Sequence, residues 1–211
     1  SNMWHELREG FHYIRQNPHL PGLIFFSFLI EFTAFPIVNG LMVVIGNDLH
    51  NLDGTGIGLL AAIASTGALL GALLLGMKQR VINPGRVMII GSITWHALML
   101  ILAMTPPLWL FTVILLLWGF SGGTTFVAMV VALLRATPAK TRGRVMGIRS
   151  LGIYGLSLGL LLGGWISEEA GPATMIGVLG AFGLAATAIA TISWPALLRG
   201  PDRSDPGKNT F

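Results

Sequence analysis

The sequence predicts an all-α polytopic membrane protein with six transmembrane helices. Of its 211 residues, 53% are hydrophobic and only 10% are charged, and the mean hydropathy is +0.73. A soluble domain carries about 25% charged residues. In a six-crossing topology, every lysine and arginine also falls on one side of the membrane. Composition and charge placement together exclude a soluble globular protein.

Six apolar segments are long enough to cross a bilayer. Each contains about 19 to 27 residues, and at a rise of about 1.5 Å per residue a helix of this length covers a hydrocarbon core ~30 Å thick. We therefore expect one membrane domain over residues 22–198, followed by a cytoplasmic tail over residues 199–211. The predicted spans are Gly22–Gly46, Gly56–Gly76, Arg86–Met104, Leu108–Leu134, Val145–Ile166 and Ala173–Leu198.

Basic and acidic residues occupy opposite sides of this topology. One side holds all 13 lysines and arginines. Because these residues accumulate in cytoplasmic loops, both termini are predicted to be cytoplasmic, and the protein is predicted to lie in a cell membrane such as the bacterial inner membrane. The positive charges behind the net charge of +4 are explained by this topology. We therefore expect contact with membrane lipid and no nucleic-acid partner. The other side holds Asp48, Asp53, Glu168 and Glu169.

Residues 1–21 are predicted to precede the first span at the cytoplasmic surface. Ser1 and Asn2 resemble the remnant of a cloning tag, and the natural sequence is expected to start at Met3. In the segment Trp4–Leu20, apolar residues recur at helical spacing between charged ones. This pattern predicts a short amphipathic helix that lies at the membrane interface and leads into the first span.

Neither metal nor cofactor sites are predicted. The chain has no cysteine, which excludes disulfides, thiolate ligands and cysteine nucleophiles. His5, His12 and His19 repeat every seven residues, but this spacing places successive rings two helical turns apart. We therefore interpret them as interfacial histidines rather than as metal ligands.

Glu31 is the acidic residue that lies deep inside a predicted span. It is ~14 Å from the cytoplasmic end of the first span, where an ionised carboxylate costs about 2.5–3.5 kcal/mol. It should face protein or water, so we predict a proton or substrate site, with a hydrogen bond to a neighbouring helix as the structural alternative. Asn39 lies on roughly the same face, and Pro36 with Gly40 can bend the helix between them.

Other polar side chains suit the wall of a substrate cavity. Trp118, Ser121 and Thr125 follow one face of the fourth span, and an aromatic ring with two hydroxyls suits an amphipathic ligand. The alternative is that the hydroxyls bond to carbonyls of their own helix. In the fifth span, Tyr154 points away from a stripe of glycines and is a further candidate.

Two glycine stripes predict close helix contacts. Glycine at intervals of about four residues lets a second helix approach closely. The contact is equally compatible with packing inside this chain and with a missing partner. The stripes consist of Gly152, Gly155, Gly159 and Gly163 in the fifth span and of Gly67 and Gly71 in the second.

The sequence favours transport over catalysis. It contains no GxSxG, HExxH or P-loop lysine motif and no pair of deep carboxylates. Trp95 and His96 lie centrally in the third span. We interpret His96 as a packed, hydrogen-bonded side chain, with a proton relay as the alternative.

Three segments resemble the major facilitator superfamily of transporters. Leu7–Pro18 is similar to the segment that leads into the family's seventh helix. Asn83–Arg86 resembles the Gly-Arg end of its cytoplasmic signature loop, and Arg142–Gly147 resembles the start of the eleventh helix. With the topology, the chain resembles the C-terminal six-helix half of a transporter in the drug and siderophore exporter-like branch. Because Ile82 replaces the acidic residue expected in that loop, no charge relay is expected there.

The resemblance sorts the candidate residues by helix. It implies that the six spans correspond to helices seven to twelve of the family. The seventh and tenth line the central cavity, the eighth and eleventh pack against the other half, and the ninth and twelfth lie outside. Glu31 and Trp118 then fall on cavity helices, the glycine stripes fall at the boundary between halves, and His96 falls on a peripheral helix.

The mechanism implied by the resemblance is alternating access. Two six-helix halves rock about a site near the bilayer midplane, and a proton on Glu31 couples the gradient to export of a small amphipathic molecule. The implied partner is the N-terminal half, on a longer chain or a separate one, or a second copy. A non-transporting membrane subunit, a natural half-size protein acting as a dimer and a membrane-embedded lipid enzyme are the alternatives.

Overall fold

Six long helices make up most of the structure, a computed structural model that describes residues 12–77, 83–105 and 107–199. They are α1 (Leu20–Leu49), α2 (Gly54–Met77), α3 (Pro84–Ala103), α4 (Leu108–Ala136), α5 (Arg142–Ala170) and α6 (Pro172–Ser193), and a short α7 (Ala196–Arg199) follows. Each of the six is long and apolar enough to cross a membrane. The all-α, six-span prediction is therefore confirmed. Of the predicted lead-in helix, only residues 12–20 lie in the described part.

The two ends of the bundle carry opposite charge. We call the end at which α1, α3 and α5 begin the basic end, because the described lysines and arginines lie at or near it. The opposite end carries the acidic residues of the connecting turns and is called the acidic end.

Prolines account for two departures from the predicted spans. Helix α6 ends at Ser193 rather than at Leu198, because Pro195 disfavours a helical conformation at Trp194, which has φ −124° and ψ 66°. In α1, two π-helical segments, Ile37–Leu41 and Ile45–Leu49, interrupt the α-helix after Pro36. Proline lacks the N–H that an α-helical turn needs, so the chain widens there.

Helices α2 and α4 touch through their backbones. A Cβ added to Gly67 or Gly71 would overlap a carbonyl oxygen of α4. One added to Gly119 or Gly123 would overlap a carbonyl oxygen of α2. Glycines on both helices therefore allow the close approach that small residues give to membrane helix pairs.

The glycine stripe of α5 packs against α1. Gly155 and Gly159 lie against backbone carbonyl oxygens of α1, and Gly163 lies against the side chain of Leu41. Gly152 is buried as well. The contact aligns α5 with α1 over about three turns.

Both glycine stripes are therefore covered within this chain. The alternative that they face a missing partner is wrong, because neighbouring helices of the same bundle fill the space that a partner would occupy. The outward faces of α2 and α5 carry exposed apolar side chains instead, among them Leu69, Leu73, Leu158, Leu161 and Trp165.

A buried polar network joins α1, α3 and α6 through His96. Its Nε2 lies 2.8 Å from Thr33 Oγ1, and its Nδ1 lies 2.8 Å from the carbonyl oxygen of Ser92. Since a carbonyl oxygen only accepts, Nδ1 donates to it. Ser92 Oγ in turn lies 2.9 Å from Thr187 Oγ1 on α6. The ring occupies space above Gly183, so His96 is packed and hydrogen-bonded on both sides, as its packing interpretation requires.

Polar side chains at the basic end bond to helix carbonyls. Asn83 Nδ2 and Arg86 Nε donate to the carbonyl oxygen of Leu198 at 2.7 and 2.6 Å. Arg142 donates to the carbonyl oxygen of Leu134 at 3.3 Å. The last carbonyls of a helix lack intrahelical donors and carry partial negative charge, which basic groups satisfy. The Asn83–Arg86 loop thereby holds α7 against the start of α3.

We expect Gly67→Ala to destabilise the bundle, because the added methyl group would force α2 away from the α4 backbone. The expected loss is about 1–3 kcal/mol in the free energy of unfolding, measured by SDS titration of the purified protein in micelles. Gly58→Ala in the same helix is the matched control, since a Cβ there meets nothing within 4 Å. Equal stability of the two variants would show that the contact contributes nothing.

A double-mutant cycle tests the packing of the imidazole. Gly183→Ala is expected to cost about 1–3 kcal/mol, because its Cβ would overlap the His96 ring. In a His96→Ala background the ring is gone, so the same substitution should cost close to nothing. An equal cost in both backgrounds, measured by the same titration, would contradict the contact.

Candidate functional site

A cavity of about 500 Å³ opens between α1 and α2 and is closed at the back by α3 and α4. The first two helices meet near the acidic end, where Gly46 lies against the side chain of Ile57. The cavity lies beyond this contact, between residues 35–39 of α1 and 64–72 of α2. Its volume falls within the range of ~300–1,000 Å³ that is typical of small-molecule sites.

Four aromatic side chains from three helices form one wall. Phe35 of α1 meets Trp95 of α3 and Phe126 of α4 edge to face, with ring centroids 6.2 and 6.0 Å apart. Trp118 of α4 lies 5.4 Å from Trp95. Gly122 makes room for this wall, since a Cβ there would lie 2.6 Å from the ring of Trp95. The rings hold one another in place and present apolar surface to the cavity.

The opposite wall of the cavity is small and almost entirely apolar. Ser65, Ala68 and Ala72 of α2 face the aromatic rings, and Asn39 of α1 adds an amide. No lining residue carries a charge. The cavity therefore fits a flat, largely apolar molecule that has few polar groups and no charge to be paired.

Glu31 and Arg149 form a charged site beside the aromatic wall. Both side chains are half-buried, and Arg149 is the charged group whose field acts on Glu31. At the rise of a helix they lie about 16 and 10 Å along α1 and α5 from the starts of these helices, so both belong to segments that are long and apolar enough to span a membrane. The guanidinium carbon of Arg149 lies 5.1 Å from the centroid of the Phe126 ring, which is a cation–π distance. Arg149 thus lies against the wall of the cavity and acts on the Glu31 carboxylate through its charge.

Trp118 and Asn39 are the predicted residues that line the cavity. The side chain of Trp118 is 2% exposed, so little of its surface is open to the cavity. Asn39 sits in the first π-helical segment, and its Nδ2 donates to the carbonyl oxygen of Phe35 at 2.9 Å.

Ser121 and Thr125 are turned away from the cavity. Ser121 Oγ donates to the carbonyl oxygen of Gly91 on α3 at 2.9 Å, and Thr125 Oγ1 donates to the carbonyl oxygen of Ser121 at 2.7 Å. Both side chains are buried. The structure therefore places these hydroxyls in the α3–α4 contact, because their helix face points at α3 rather than at the open space between α1 and α2.

Tyr154 lies apart from the other candidates. Its side chain is 65% exposed on the outward face of α5, opposite the glycines that pack on α1. It does not line the cavity. Glu31 also lies outside the cavity lining, beside the wall rather than in it.

No metal site is found in the described residues. Within residues 12–77, 83–105 and 107–199, no group of three histidine, aspartate or glutamate side chains is placed to hold an ion. His5 lies outside the described part, so the spacing of the three N-terminal histidines is not seen in full.

Four contributors to the site were not singled out as site residues from the sequence. Arg149 lies within the fifth span, and a cation inside an apolar span calls for a counter-charge, so this signal was present but was read as topology only. Trp95 lies centrally in the third span, but the sequence assigns it no role. Phe35 and Phe126 carried no signal, because aromatic residues are common in membrane helices and only the packing brings these two together.

Comparison with known proteins agrees with this architecture. The family described as Major Facilitator Superfamily matches residues 24–210. The multidrug efflux pump Tap of Mycolicibacterium fortuitum is 27% identical, and the match covers 82% of this chain and 45% of the pump. The chain thus spans a little under half the length of this relative. Since the family match extends over most of the sequence, the chain belongs to the major facilitator superfamily, a family of multi-pass membrane transporters.

Proposed function

We propose that the chain forms one half of a secondary transporter that exports a small, uncharged aromatic or amphipathic molecule. The observation that carries this proposal is the cavity between α1 and α2, with its aromatic wall and its uncharged lining. The relative that is named as a multidrug efflux pump supports export as the activity. Transport also agrees with the absence of catalytic sequence motifs.

The proposed mechanism is alternating access between two halves. The cavity is open on the side of α1 and α2 rather than enclosed, so a second six-helix unit would complete its wall. Exposed apolar side chains on α2 and α5 give such a unit a surface to pack on. The C-terminal half of a longer chain is the arrangement we propose, with a second copy as the alternative.

Proton coupling is assigned to Glu31 and Arg149. An ionised Glu31 attracts the guanidinium of Arg149, and protonation removes this attraction in a region of low dielectric. Arg149 would then be held mainly by the ring of Phe126 at the cavity wall. A proton on one helix would thereby change the packing of α1 on α5 next to the substrate.

Filling the cavity is expected to block transport. Ser65→Phe places a ring in the space between α1 and α2, and we expect at least a tenfold fall in efflux of a neutral aromatic dye such as Nile red from proteoliposomes. The protein to be used is the full product of the gene. The matched control is Leu74→Phe, which lies on the opposite side of α2 at about 100° per residue and is exposed. Equal efflux in the two variants would remove the cavity from the mechanism.

Glu31→Gln is expected to abolish efflux driven by an imposed pH gradient. The amide keeps the shape of the side chain but cannot take up a proton, so folding should be preserved while coupling is lost. Glu31→Asp should retain part of the gradient-driven flux, and Glu168→Gln at the acidic end is the control. Unchanged gradient-driven flux in Glu31→Gln would refute the assignment, and loss of folding in this variant alone would support the structural alternative.

A further inference from the structure

A second cavity lies at the basic end of the bundle, between the chain that enters α1 and the turn that joins α6 to α7. Its volume is about 460 Å³. Pro18 and His19 form one side, and Ser193, Trp194 and Arg199 form the other. It is separate from the cavity between α1 and α2 and shares no lining residue with it.

The position of this cavity is at the boundary of the hydrocarbon core. His19 directly precedes α1, and Ser193 is the last residue of α6. Trp194 packs on Phe25 with ring centroids 5.5 Å apart, and Gly22 leaves room for it. Tryptophan is enriched at this depth, where its ring is apolar and its N–H meets polar headgroups.

Among the described residues, the cavity carries the positive charge of Arg199 and no counter-ion. In the described residues no carboxylate pairs with Arg199, since the acidic side chains lie in the span of α1 or at the acidic end. The carbonyl oxygen of Leu198 beside it already accepts from Asn83 and Arg86. Arg199 is exposed and therefore available to an anion.

His19 adds a neutral hydrogen-bonding group. Burial holds the pKa of His19 below its ordinary value of 6.5, so its ring is uncharged at pH 7 and offers one N–H. Ser193 contributes a hydroxyl, and both groups can donate to a phosphate oxygen. His19 and Ser193 thus line the same cavity as the cation Arg199.

An apolar ridge leads from this cavity toward the membrane centre. Ile189 and Ile192 are 64% and 80% exposed on the outward side of α6. They precede Ser193 by about one turn and by one residue, so a chain attached to a group in the cavity would lie along them. A free phosphate would not contact these apolar side chains, whereas an acyl chain would cover them.

We propose that this cavity binds the headgroup of an anionic phospholipid, with the phosphate at Arg199 and an acyl chain along Ile189 and Ile192. The site belongs to the leaflet at the basic end. It draws on the membrane location of the chain and is independent of the proposed transport activity.

Native mass spectrometry of the full chain in micelles tests this proposal. Titration with phosphatidylglycerol is expected to give one tightly held lipid adduct, and phosphatidylcholine is expected to give a weaker one. Arg199→Gln should weaken the phosphatidylglycerol adduct about fivefold, equivalent to about 1 kcal/mol, whereas Arg199→Lys should retain most of it. Lys140→Gln, an exposed basic residue at the same end, is the matched control and should have no effect.

Three outcomes would overturn the proposal. Equal losses in Arg199→Gln and Lys140→Gln would show general attraction to a basic surface. Equally tight adducts with phosphatidylglycerol and phosphatidylcholine would show that the charge of the lipid headgroup is not recognised. Displacement by glycerol phosphate at the same concentration as the lipid would show an anion site that does not recognise a lipid.

Discussion

The backbone contact between α2 and α4 is the constraint on which the rest of the bundle depends. A bilayer supplies no hydrophobic force between helices, so close van der Waals contact decides which helices pair. The glycines on both helices allow α2 to lie directly against α4, and a gap remains between α2 and α1. Gly119 and Gly123 contact α2 and also line the cavity. The feature that holds the helices together therefore also makes the space in which a ligand can bind.

Polar groups inside the bundle are of two kinds. The imidazole of His96 has a partner on each nitrogen and is covered by α6, so its role is to hold three helices in register. Glu31 and Arg149 are only half-buried and interact through their charges. In a low dielectric a change in charge alters the energy much more than it does in water. We therefore propose that the protonation state of this second pair alters helix packing.

The basic end combines three roles that follow from one kind of side chain. Its lysines and arginines underlie the predicted topology, and two of its arginines also satisfy helix carbonyls that have no donor of their own. Arg199 is not one of these two arginines, and it lines a cavity at the end of α6. We propose that this arginine, which contributes to the predicted topology, also binds an anionic lipid.

The sequence by itself determined the six spans, the separation of charges and the place of Glu31 within the first span, because apolar length and charge position are local properties of the chain. It also pointed to Trp118 and to the glycine stripes, since such residues stand out in an apolar helix. Only the tertiary structure decided what each of them meets: the stripes face helices of the same chain, Ser121 faces α3, and Arg149 lies near Glu31. The periodicity of one helix defines its faces but carries no information about which neighbour each face contacts.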